Sequence, residues 1–243
     1  MSALFADPAI VWLWVVARFR PARPAVAVRS PYPWNPVLAP PKTPAPVIEI
    51  DGGSAVFDKE RFIEDCIDAN AEGQSAIRDV LANAVRDRAG ITRALGEPEH
   101  AGITPLYRSD DLTIIHFVWA PCMSLMPHNH QMFSVVGIYA GREDNVFWRR
   151  TETSIEAAGA RSLGVGDVAT LGRDVIHSVL NPIGKMTCAL HVYGGNFFEP
   201  AAPRSQWDPE SLGEQPWDIE GVKSLFRDAE TRFHAVASGS AGR

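Results

Sequence analysis

Between about residues 103 and 198 the chain consists of short β-branched and aromatic runs, interrupted at close intervals by Gly, Asn and Pro. That punctuation restricts the fold more than any other feature. Leu112-Thr-Ile-Ile-His-Phe-Val-Trp119 and Phe133-Ser-Val-Val-Gly-Ile-Tyr-Ala140 have strand composition. Residues 120–127, which hold Pro121 and Pro127, read as a turn between them, and Gly137–Asn145 reads as a turn leading into Val146-Phe-Trp-Arg149. Strands joined by connections this short are antiparallel neighbours, and a long series of them closes into a jelly roll.

The flanks carry a different period. Phe62, Ile63, Cys66 and Ile67 share one helical face, and Ile77, Val80, Leu81, Ala84 and Val85 share another, with Gly73 between them and Gly90 after them. Two helices are therefore expected over about 57–96, with a short turn at Ile91–Gly96, ahead of a barrel at about 99–200. A C-terminal helix is expected over about 219–235, packing Val222, Leu225, Phe226 and Phe233 on the outside of the barrel. Residues 49–243 then form one mainly β domain with two N-terminal helices and one C-terminal helix.

Residues 1–48 are treated separately. Nine of the chain's 19 prolines fall between positions 21 and 46, a composition suited to an extended, poorly ordered arm. The apolar stretch Ala9–Ala17 is too short to span a bilayer and is followed by Arg18, Arg20 and Arg23, so neither a membrane span nor a signal peptide is expected. The net charge of -6 argues against nucleic acid as a partner. Cys66, Cys122 and Cys188 have unrelated spacings and make no disulfide framework, which points to a reducing compartment, the cytoplasm being the simplest.

The candidate chemistry lies in Pro127-His128-Asn129-His130. Residues two apart on a strand face the same way, so both imidazoles can reach one ion. His177, followed by Asn181, is the natural third ligand, since it comes after a strand-like, Gly-punctuated stretch and before another strand. His116, between Ile115 and Phe117, reads as a satisfied sheet residue, and His100 and His234 as structural or solvent-exposed. Ser75 lacks the second glycine of a nucleophile elbow, and Gly164-Val-Gly166 lacks the rest of a dinucleotide fingerprint.

These residues resemble the cupins, whose first motif is a His-x-His strand with a Glu shortly after it. Their second motif is matched in spacing by Gly166, Gly172, Asp174, His177 and Asn181, with Gly172 and Asp174 where the family has Pro and Gly. The first motif departs at its carboxylate, because Gln131-Met-Phe-Ser-Val135 contains none. An all-histidine set is similar to that of the cysteine dioxygenase-type thiol dioxygenases, and the likeness runs over roughly residues 99–200. Ala189-Leu-His191-Val-Tyr193 resembles that group's Ser-x-His-x-Tyr strand, and Tyr107-Arg108 its carboxylate-reading region. Two positions differ: Ala189 stands where the relay serine would be, and Val135 where some members have a cysteine that cross-links to the tyrosine. Cys188 falls on the other face of its strand.

The resemblance implies a double-stranded β-helix that binds one non-haem Fe(II) through His128, His130 and His177. It implies oxidation of a small carboxylate-bearing thiol by O2 to a sulfinic acid. Arg108 would hold the carboxylate bidentately, with Arg142, Arg149, Arg150 and Arg173 as competitors. Tyr193, held by His191, would act as the catalytic hydrogen-bond donor. The expected partners are a thiol and O2, with the chain a monomer or weak dimer. The alternative is another metal-dependent cupin enzyme acting on a different small molecule, or a non-enzymatic cupin that binds a metal or ligand.

Overall fold

The computed structural model describes residues 56–240, so the Pro-rich segment 1–48 lies outside the described residues. Asp58 caps the first helix, α1 (Lys59–Glu72), by accepting the Arg61 N–H, which satisfies one of the donors that a helix start leaves free. Gly73, at φ 99°, ends α1 and lets the chain restart as α2 (Gln74–Ala84). Asp87 caps a third helix, α3 (Arg88–Leu95), at the Gly90 N–H, while its other oxygen accepts the Phe57 N–H. The segment expected to hold two helices and a turn thus holds three, because Asp87 supplies a cap ahead of the residues read as turn.

Eleven strands follow among the described residues: β1 (Gly102–Arg108), β2 (Thr113–Trp119), β3 (Ser124–Asn129), β4 (Ser134–Ala140), β5 (Arg142–Arg150), β6 (Ile155–Gly164), β7 (Val168–Leu171), β8 (Ile176–Leu180), β9 (Thr187–Tyr193), β10 (Ser205–Trp207) and β11 (Glu214–Pro216). One sheet has the order β1-β2-β9-β4-β7 and the other β11-β10-β3-β8-β5-β6, with antiparallel pairing throughout. The sheets pack face to face, Val136, Ile138 and Ala189 of the first meeting Leu163 and Phe147 of the second. This is the expected double-stranded β-helix.

Every residue of β2, β4 and β9 is buried, because the second sheet covers one face and the helices the other. Phe62, Cys66, Ile77, Leu81 and Ile91 pack against Ile114, Val118, Val135, Leu190 and Val192. Two-sided burial is why these strands read as nearly continuous apolar runs. Gln74 ties the start of α2 to the sheet by donating to the Ser134 and Leu171 carbonyls.

Two local readings change. Residues 124–127, read as turn, belong to β3; Pro127 cannot donate a ladder hydrogen bond, and it sits in the register shift between Leu125 and His128, where proline is tolerated. The 137–145 turn contracts to Gly141, at φ 80°, where a Cβ would meet the Thr187 backbone at 2.8 Å. The final helix, α4 (Ile219–Ser240), also departs from expectation. Val222 and Phe226 join the inner core with Phe117 and Trp119, so α4 closes one mouth of the barrel instead of lying on its outer wall. No helix among the described residues is long and apolar enough to cross a membrane.

Candidate metal centre

Strand alternation and register bring the three histidines together. His128 lies near the end of β3, His130 one residue beyond it, and Gln131, at φ 58°, turns the chain away. Asn129, between them, points elsewhere and accepts the Ser205 N–H. β8 runs antiparallel to β3 with His177 directly opposite His128. All three imidazoles are buried.

Their outer nitrogens are engaged. His128 Nδ1 donates to the Met126 carbonyl at 3.0 Å and His177 Nδ1 to Asn145 Oδ1 at 2.7 Å, while His130 Nδ1 lies 3.3 Å from Ser134 Oγ. For His128 and His177 these bonds fix the proton on Nδ1 and leave the Nε2 lone pair facing the centre. His130 Nε2 lies 3.2 Å from His128 Nε2 and 3.3 Å from His177 Nε2. Two nitrogens each about 2.1 Å from one ion, at angles of about 90–110°, lie about 3.0–3.4 Å apart, so the trio fits a single metal ion. Burial holds all three imidazoles neutral, His177 being pushed down to about 4 and the other two well below their ordinary range. Neutral imidazole is the ligating form. No carboxylate joins the three among the described residues.

The cavity in front of these nitrogens is lined by Phe117, Trp119, His191, Tyr193, Trp217 and Val222, among others, and its free space of about 10 Å³ is that of one ion or water. Tyr193 therefore shares a cavity with the trio, its hydroxyl 3.0 Å from His191 Nδ1. The ring of His191 packs on Phe117.

Arg108 is placed elsewhere. It does not line the cavity; its side chain is 41% exposed, pairs with Glu199 at 2.8 Å and donates to Asn196. The guanidinium behind the cavity is that of Arg204, which is buried between the rings of Phe197 and Trp217. It donates to the Asn129 and Phe197 carbonyls, and its Nη2 has no partner. Burial lowers its pKa to about 10, which leaves it cationic at neutral pH. In sequence Arg204 stands outside every strand-like run, in Pro203-Arg204-Ser205, so no periodicity marks it.

Glu143 and Asn145 were hidden by their neighbours. Arg142-Glu-Asp-Asn145 looks like a polar turn, yet it opens β5, with Arg142 and Asp144 paired with each other outside and Glu143 and Asn145 buried inside. The available signal was parity, since Glu143, Asn145 and Phe147 share one face of a strand. Glu143 Oε1 accepts from Asn145 at 3.0 Å and its Oε2 faces His191 Nε2 at 3.5 Å. Burial works against its charge, but His191 and Asn145 outweigh it, and the carboxyl stays below its usual range. His116 is the satisfied sheet residue expected, bonded to the Tyr139 hydroxyl at 2.7 Å, and His100 pairs with Glu230 at the surface.

No protein-family model matches this sequence, and no curated protein is similar to it. Several solved structures are similar to part of this chain. A protein with a double-stranded β-helix domain from Klebsiella pneumoniae is 11% identical, the match covering 50% of this chain and 88% of that one at a TM-score of 0.33. A cupin superfamily protein from Desulfitobacterium hafniense is 17% identical over 42% of this chain and 85% of its own, with a TM-score of 0.34. Oxalate decarboxylase from Bacillus subtilis is 15% identical over 40% of this chain and 24% of its own, with a TM-score of 0.32.

Proposed function

We propose that this protein is an Fe(II)-dependent thiol dioxygenase that converts a small carboxylate-bearing thiol, of the cysteine or 3-mercaptopropionate type, to its sulfinic acid. The thiol gains both atoms of O2 and no other reductant is consumed. The observation that carries the reading is the shared cavity, in which three neutral Nε2 atoms and a histidine-held phenol meet with no carboxylate among the ligands.

Bound Fe(II) would supply the electron transfer that lets a thiolate react with O2. The protein's own groups do the rest. Three uncharged imidazoles leave a divalent ion's charge uncompensated, so the site favours substrate as thiolate. Arg204 does not line the cavity either, but its free Nη2 is buried and its guanidinium lies against Phe197 and Trp217, which do, so it would take the carboxylate-binding role that the sequence suggested for Arg108 once those rings yield. The Tyr193 hydroxyl, whose one O–H rests on His191 Nδ1, would turn that proton to the oxygens that accumulate on sulfur. Phe117, Trp119, Trp217 and Val222 exclude water, and the wall formed by Trp217 and Val222 has to yield for a thiol to enter.

The test is oxygen uptake by protein loaded anaerobically with Fe(II), across cysteine, 3-mercaptopropionate and cysteamine. Uptake matched by sulfinate, with cysteamine the poorest substrate, is expected. Bound iron with no uptake on any thiol would overturn the reading and leave the site to a different small molecule.

A further inference from the structure

A chain of buried polar groups links the two ends of the site. From Tyr193 it runs to His191 Nδ1 at 3.0 Å, from His191 Nε2 to Glu143 Oε2 at 3.5 Å, from Glu143 Oε1 to Asn145 Nδ2 at 3.0 Å, and from Asn145 Oδ1 to His177 Nδ1 at 2.7 Å. The His191–Glu143 contact is the loosest link, but neither of its two atoms has another partner and both are buried. Two facing orphans, one able to donate and one to accept, are stabilised by pairing with each other.

We propose that Glu143 is the positioning residue that fixes the tautomers of His191 and His177 together, and through them the hydrogen-bond direction at Tyr193 and the lone pair offered at His177 Nε2. A carboxylate accepts at both oxygens, so both arms of the chain must donate toward it. On one arm Asn145 turns its amide N–H to Glu143, which leaves its carbonyl oxygen for His177 and fixes the His177 proton on Nδ1. On the other arm His191 carries its proton on Nε2, so its Nδ1 accepts the Tyr193 O–H. A neutral amide at position 143 cannot serve both arms, because it accepts on one side and donates on the other. Ala189, whose side chain has no polar atom, offers His191 no side-chain substitute. The inference uses the functional reading only in taking His177 Nε2 and Tyr193 as the working ends.

The experiment is 15N NMR of the full chain, metal-free and labelled at histidine. In the wild type, His191 is expected as the Nε2–H tautomer and His177 as the Nδ1–H tautomer; any other pair overturns the proposal. Glu143→Gln is expected to invert one of the two. If His177 inverts, Co2+ affinity falls about tenfold or more; if His191 inverts, Co2+ affinity is kept. The double variant Glu143→Gln/Asn145→Asp moves the carboxylate one place along the chain. The carboxylate at position 145 then accepts from His177 and from the amide at position 143, whose own oxygen accepts from His191. It restores both tautomers. A Glu143→Gln protein with both tautomers unchanged, or a double variant that leaves one inverted, overturns the proposal. If the single variant does not fold, the wild type and the double variant still decide. None of these readouts depends on thiol turnover, so an inactive protein would reject the dioxygenase reading and leave this one standing or falling by its spectra.

Discussion

His128, His130 and His177 each give one nitrogen to an outer partner and one to the centre, so their geometry is set before any ion arrives. His177→Ala removes a converging nitrogen and is expected to abolish stoichiometric metal uptake, read by metal analysis after desalting; retained metal would remove His177 from the ligand set. Tyr193→Phe keeps the ring against His130 and deletes only the hydroxyl. It is expected to bind metal normally and to lose about 10²–10⁴ in turnover, the range for a lost proton-handling group. Arg204→Met keeps much of the apolar stem and removes the guanidinium. A charge-assisted hydrogen bond contributes about 1.5–3 kcal/mol, so KM for 3-mercaptopropionate is expected to rise about 10–150-fold while that for cysteamine is little changed. Equal losses on both thiols would assign Arg204 to the fold alone.

At the scale of elements, legibility followed burial on two sides or one. β2, β4 and β9 were readable because both faces are covered and the apolar signal is continuous. The His-x-His pair was readable because alternation puts both rings on one face. Glu143 and Asn145 were not, since an outward Arg142–Asp144 pair made the start of β5 look like solvent-facing turn. Arg204 was not, because its burial comes from Phe197 and Trp217, which reach it from different segments. α4 was legible as a helix, while its seat over Phe117 and Trp119 depends on tertiary contacts that no helical period encodes. The packing of α2 on the sheet gives a prediction at this scale. A Cβ at Gly137 would lie 2.8 Å from Leu81 Cγ and from Val85 Cγ1, so Gly137→Ala is expected to cost about 1–3 kcal/mol by overpacking, measured by urea unfolding. A neutral result would mean that α2 sits on the sheet loosely.

For the whole molecule, the buried histidines couple stability to pH. Burial lowers His116 and His177 to about 4 from an ordinary 6.5. In the unfolded chain they take up protons as pH falls below 6.5, whereas in the fold they stay neutral until about 4. Their contribution is therefore fully present above 6.5 and lost as pH falls from 6.5 to 4. At about 1.4 kcal/mol for each pKa unit, each contributes on the order of 3 kcal/mol. The urea midpoint of the metal-free protein is expected to fall steeply across that window, and a flat profile would mean that the histidines are solvated in the fold. Within the double-stranded β-helix, the neutral imidazoles of His128, His130 and His177 and the Tyr193–His191 pair line one cavity, with the buried Arg204 against the Phe197 and Trp217 rings of its wall, and the proposed function assigns that cavity to a small anionic thiol. The most direct test of that account is mass spectrometry of the product formed by the Fe(II)-loaded protein from 3-mercaptopropionate or cysteine under 18O2. The account predicts a sulfinic acid carrying label at both of its new oxygens; a disulfide, or a sulfinate whose oxygens come from water, would contradict it.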